Sequence, residues 1–232
     1  MNQNNFIEET KKLGIKVTEK ELILLEKYYD MLVEYNKFMN LTGITEHDEV
    51  YLKHFYDSLT IVRAIDLNKV ETLCDIGTGA GFPGIVLKIF YPNLKITLVD
   101  ALQKRINFLN DVIKELNLDK IETVHARIEE YGIKNREIFD VATARAVAPL
   151  NVLLEYSIPI LKQNGYFIPM KANIENENYE NALKILCCSV EQIYKFLLPI
   201  EQSNRTIIKI KKEKQTSKKY PRKNNLIKTK PL

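Results

Sequence analysis

LCDIGTGAGFPGI, Leu73 to Ile85, holds Gly77, Gly79, Gly81 and Gly84 within eight positions, half of the chain's 8 glycines. Glycine lets a backbone turn through positive φ and lets another group approach with no Cβ in the way. The cluster follows an apolar run, VETLCDI, and precedes a second one, GIVLKIF. A strand, a tight glycine turn and a helix are the expected order, with the turn as the place where a ligand comes close to backbone.

The same grammar repeats downstream. KITLVD precedes KRINFLNDVIKEL; KIETVHA precedes a short helix; FDVATA precedes PLNVLLEYSIPIL; GYFIPM precedes NENYENALKILCC. Strand-then-helix repetition implies parallel strands joined by right-handed crossovers. YKFLLPI and RTIIKIKK flank EQSN and read as an antiparallel hairpin at one sheet edge. The expected fold class is α/β, a Rossmann-like, mostly parallel sheet of about seven strands. Upstream, Thr18 and Glu21 fit a capping box, and Leu22, Leu25, Tyr29, Leu32 and Val33 recur at helical spacing. NLTG, residues 40–43, breaks that helix, and the pattern resumes to residue 65. The expected organisation is a helical cap over 1–65, a catalytic α/β domain over 66–212 and a basic tail over 213–232.

The chain's 232 residues suffice for a proper core. Its 3 cysteines, Cys74, Cys187 and Cys188, have neither disulfide-framework nor zinc spacing and read as buried small hydrophobes in a reducing cytoplasm. MNQNNFIEETKK lacks the apolar core of a signal peptide, and no run is long enough for a bilayer. A cytoplasmic monomer without a metal and without membrane contact is expected. Net charge is +4, but Lys209 to Leu232 carries ten Lys or Arg against the single acid Glu213, leaving about −5 for the rest. Such a tail reads either as a nucleic-acid contact or as a solvated end.

Gly79-Ala-Gly81-Phe-Pro-Gly84 is G-x-G-x-x-G, with Asp100 about 20 residues on, as in the dinucleotide fingerprint. Two details point elsewhere. Asp75 precedes the glycines, giving D-x-G-x-G-x-G, and Pro83 removes an N–H donor that a pyrophosphate cradle needs. A dinucleotide site also needs a second mononucleotide half, for which little chain remains. S-adenosylmethionine, with an adenosine, an amino-acid tail and no phosphate, fits these facts. Asp100 would accept from the ribose hydroxyls; it would equally serve the start of the helix LQKRINFL.

Beyond the loop, NLTGI (40–44), HFYDSL (54–59), DIGTGAGFPGI (75–85), LVDALQKRINFL (98–109), TARAVAPL (143–150), LPIEQSNRTIIKIKK (198–212) and KKYPRK (218–223) closely resemble the RsmG (GidB) family. These are bacterial methyltransferases acting on guanine N7 in small-subunit (16S) ribosomal RNA. The resemblance runs through almost the whole chain. It implies a class I S-adenosylmethionine-dependent methyltransferase fold and cofactor contacts at Gly77, Phe82, Asp100, Ala101, Leu102, Ile128, Glu129 and Arg145. Ile128 and Glu129 would lie beside the adenine. Arg145 would meet the methionine carboxylate or RNA phosphate, or else form a surface ion pair. The implied partner is 16S rRNA or the small subunit, through the basic tail Lys209 to Lys230. The family's glycine and prolines after YPRK are absent here, where NNLIKTKPL stands.

No cysteine sits in the loop directly after the fourth strand for pyrimidine-carbon chemistry, and Ala148-Pro149-Leu150 replaces the Asn/Asp-Pro-Pro-aromatic loop of adenine-amine methylation. Guanine N7 carries a lone pair and no proton, so it needs no base. Phe82 and Pro149 are candidates to hold the base plane. His54, Asp57 and Ser58, at i, i+3 and i+4, belong either to the site wall or to a network joining cap and sheet. Asn40 and Thr42 either cap the cofactor mouth or stop a helix. Competing readings are an NAD-dependent oxidoreductase, a non-catalytic RNA-binding module, and a methyltransferase for small molecules or proteins. Removing 217–232 is expected to weaken RNA binding and leave cofactor affinity intact.

Overall fold

The computed structural model describes residues 1–232. Helices α1 (Gln3–Lys12) and α2 (Glu19–Met39) come first. The capping box forms: Thr18 N donates to Glu21 Oε2 at 2.8 Å. Asn40, left-handed at φ 49°, ends α2. The next helical stretch is composite, with α3 (His47–Val50), a π-helical turn Tyr51–Tyr56, α4 (Asp57–Leu59) and a 3-10 turn Thr60–Arg63.

Five parallel strands alternate with helices: β1 (Thr72–Ile76), α5 (Gly84–Phe90), β2 (Lys95–Asp100), α6 (Gln103–Glu115), β3 (Ile121–His125), α7 (Ile128–Lys134), β4 (Phe139–Arg145), α8 (Leu150–Ser157) and β5 (Leu161–Lys171). Then come α9 (Glu180–Leu186) and the antiparallel pair β6 (Cys188–Leu197) and β7 (Asn204–Lys212). The 7-stranded sheet runs β3-β2-β1-β4-β5-β7-β6. β7 sits inside, against β5, and β6 forms the edge.

Strand residues alternate between two cores, because successive side chains leave opposite faces. Leu73, Leu98, Val141, Ile168 and Ile207 join Phe6, Tyr28, Phe55, Ile85 and Leu109 from the N-terminal helices, α5 and α6. Cys74, Val99, Ala142, Phe167 and Ile208 join Leu154 and Leu186 on the other face. Both faces are covered, as a parallel sheet requires. Tyr220 and Ile227 belong to the second core, so 213–232 packs on the sheet. Its last residues form α10 (Asn224–Thr229) where the turn residues are missing. Cys74 and Cys188 are buried, but Cys187 is half-buried and left-handed at φ 55°, ending α9. No helix is long and apolar enough to cross a membrane.

Candidate active site

The carboxyl ends of β1 to β4 share one edge, and strand order reverses between β1 and β4. Open α/β sheets bind ligands in that crevice. The glycine loop leaves β1 tied to β2: Gly77 N donates to Val99 O at 2.8 Å and Gly79 N to Asp100 Oδ2 at 3.0 Å. A Cβ on Gly77, at φ +63°, would stand 2.9 Å from Val147 Cγ2, while one on Gly79 would meet nothing nearer than 4.0 Å. The other pair faces inward. A Cβ on Gly81 would lie 2.7 Å from the Tyr28 hydroxyl, and one on Gly84 would lie 2.8 Å from Asp75 Oδ2. Two glycines of the cluster thus address the cleft, and two admit a helix and a carboxylate.

Asp75 braces the loop from beneath. It is fully buried, and its Oδ2 accepts from Thr78 Oγ1 at 2.7 Å and Gly84 N at 2.8 Å. Its Oδ1 has no partner, and burial pushes its pKa up to about 6. Asp100 accepts from Leu102 N at 2.9 Å and from Arg105 at 3.2 Å besides Gly79. Its carboxylate therefore holds both the loop and the start of α6.

Two adjoining cavities open at these strand ends. One, about 290 Å³, is lined by Gly77, Asp100, Ala101, Leu102, Ile128 and Glu129, six of the eight residues expected to bind the cofactor. The second, about 530 Å³, is lined by Lys53, His54, Asp57, Arg145, Lys171 and Arg205 among others. Ala146, left-handed at φ 55°, lies on the wall of both. Asp57 joins the cap to two strands, its Oδ2 3.2 Å from Arg145 and its Oδ1 3.0 Å from Arg205. His54 stacks on Phe82 at 4.4 Å between centroids, contacts Thr42 Oγ1 at 2.9 Å and lies 3.3 Å from an Arg145 nitrogen. Burial and the Arg145 charge push its pKa down to about 3, so the imidazole is neutral.

A family model described as rRNA small subunit methyltransferase G (GidB) matches residues 21–208. The chain belongs to that family. It is 49% identical over 228 residues to the ribosomal RNA small subunit methyltransferase G of Lysinibacillus sphaericus, covering 96% of each chain. It is 48% identical over 228 residues to that of Bacillus velezensis, covering 96% of this chain and 95% of the relative. A SAM-dependent methyltransferase from Aquifex aeolicus superposes with a TM-score of 0.56 at 14% identity, over 75% of this chain and 97% of the other. TYW2 of M. jannaschii, in complex with AdoMet, superposes at 0.55 and 14% identity, over 68% and 74%. At these identities the superpositions establish the class I methyltransferase fold alone.

Within this methyltransferase G family member, two expected cofactor residues stand apart from the smaller cavity. Phe82 is buried between His54 and Tyr28, and the Arg145 guanidinium lies 5.2 Å from its ring centroid. Arg145 lines the larger cleft, and Phe82 backs it through its contacts with His54 and Arg145, both on its wall. His54 and Asp57 line that cleft and tie cap to sheet, while Ser58 bonds its own helix at His54 O. Asn40 stops a helix; Thr42 positions His54.

Sequence reading missed Arg105, Tyr156, Asn224 and Lys228 on the smaller cavity. Arg105 lies in the first turn of α6, five positions after Asp100, where a cation can reach back to the strand-end carboxylate. The other three had no signal, since only tertiary packing brings α8 and α10 there. Asn224 and Lys228 set the tail beside the residues expected to bind the cofactor. Arg222 pairs with fully buried Glu155 at 2.6 Å, and Tyr156 Oη donates to Asn224 Oδ1 at 2.8 Å. Four tail cations, Lys209, Lys211, Lys212 and Arg222, are in ion pairs.

The smaller cavity suits S-adenosylmethionine by its own chemistry. Glu129 is 4% exposed, its Oε1 has no partner, and desolvation raises its pKa. A buried orphan acceptor on a cavity wall calls for a donor from a ligand. Gly79 leaves the backbone open to it.

Proposed function

We propose that this protein transfers a methyl group from S-adenosylmethionine to N7 of a guanine in 16S ribosomal RNA. The observation that carries the reading is the pairing of a small cavity at the glycine loop with a larger, basic cleft across Ala146, in a chain of this family. When bound, the cofactor supplies an electrophilic methyl group on a sulfonium. Gly77, Asp100, Ala101, Leu102, Ile128 and Glu129 hold it. Arg145 and Arg205 share the single carboxylate of Asp57, which leaves the neighbouring cleft a surplus positive charge for RNA phosphate.

No side chain of that cleft is poised as a base. Both Asp57 oxygens are held by guanidinium groups, and His54 titrates far below neutrality. Guanine N7 has an in-plane lone pair and no proton to lose, so orientation and a dry pocket suffice. The A-form major groove is too deep and narrow for side chains, so the target guanine is unstacked or in a loop. Five tail lysines, Lys214, Lys218, Lys219, Lys223 and Lys230, form no ion pair and serve as phosphate contacts.

The test incubates the protein with methyl-labelled cofactor and unmodified small ribosomal subunits and locates the label. Label at N7 of one guanine is expected, with none accepted when carbon replaces that N7. Label on an exocyclic amine or a ribose would sink the reading.

A further inference from the structure

The geometry points to α10 as a cofactor-binding element: Asn224, with Lys228 beside it, reads the adenine edge together with Glu129. This rests on the smaller cavity being the cofactor's. Asn224 and Lys228 are four apart, so they share one helix face, and both line that cavity. Ile227, directly before Lys228, is fully buried in the second core, and the Arg222–Glu155 pair anchors the chain just before the helix. The wall is therefore built into the fold.

The donor pattern names the ligand edge. Asn224 Oδ1 accepts from Tyr156 Oη, which leaves the Asn224 NH₂ free to donate. Glu129 Oε1 is buried without a donor. One free donor and one free acceptor complement the adenine edge, whose ring nitrogens accept and whose amino group donates. Lys228 acts on Glu129 electrostatically, opposing the burial that raises the Glu129 pKa. The charge of Lys228 thus favours the ionised, accepting form of Glu129.

The test measures S-adenosylhomocysteine binding by calorimetry in the full chain, in Asn224→Ala, in the double variant Asn224→Ala/Lys228→Ala, and in a chain cut after Lys223. Losses of about fivefold, tenfold or more, and tenfold or more are expected, and S-adenosylhomocysteine should slow amide hydrogen exchange across 224–229. S-inosylhomocysteine, with donor and acceptor exchanged on its base edge, should bind the full chain at least tenfold more weakly, and Asn224→Ala should narrow that gap. If the cut chain does not fold, the double variant decides, since it leaves Ile227 in place. Affinity within twofold in the double variant, with exchange in 224–229 unchanged, overturns the assignment. Failure of the full chain to bind S-adenosylhomocysteine would instead overturn the cofactor reading itself.

Discussion

Asp75 is buried with one oxygen unpartnered, and its folded pKa of about 6 stands above the ordinary 3.8. The folded state therefore binds its proton more tightly than the unfolded state. The stability it contributes is greatest below about pH 4 and falls as pH rises through 6. Asp75→Asn keeps an acceptor for Thr78 and Gly84, both of which use the same oxygen. Thermal unfolding should find that variant more stable than the parent at pH 7–8, by up to ~2–3 kcal/mol, with the difference vanishing below pH 4. Asp100→Ala should lower affinity for S-adenosylhomocysteine by ~1.5–3 kcal/mol and also destabilise the fold by ~1–3 kcal/mol, because Gly79, Leu102 and Arg105 lose an acceptor. Calorimetry and denaturant titration check the two halves separately. The places of Gly77 and Asp100 were legible because one directly follows β1 and the other ends β2. The partner of Arg145 was not legible, since Asp57 lies 88 residues away in the sequence.

At the scale of elements, α2 supports the glycine loop. The buried Tyr28 hydroxyl donates to the Ala80 carbonyl, and its ring stacks on Phe55 at 5.6 Å. Tyr28→Phe keeps the ring and leaves that carbonyl short of a donor, so unfolding should become easier by ~1 kcal/mol in urea titration. The period-2 and period-3.6 patterns made β1 to β4 and α2 readable to within a few residues. The π-helical turn was not readable, since its extra residue per turn is set by packing of Tyr51, Phe55 and His54 rather than by any spacing. The tail misled for a different reason. Charge dominates its composition, yet Tyr220 and Ile227 are enough to fix it on the sheet.

For the whole molecule, charge placement separates binding from stability. Replacing Lys214, Lys218 and Lys219 by Ala should flatten the dependence of log RNA affinity on log salt by about one unit for each phosphate left without its lysine. Filter binding at several salt concentrations measures it. Arg222→Ala belongs to another class: it strands the buried Glu155 carboxylate and should cost ~3–5 kcal/mol of stability in thermal unfolding. The Asp57 clasp has a consequence in time. Asp57 lies 148 residues before Arg205, and a ribosome adds about 5–20 residues each second. Between the emergence of the two, roughly 7–30 s pass. The cap helices thus wait for 148 further residues before the carboxylate meets both of its cations, and the larger cleft closes well after the cap that forms one side of it has been made.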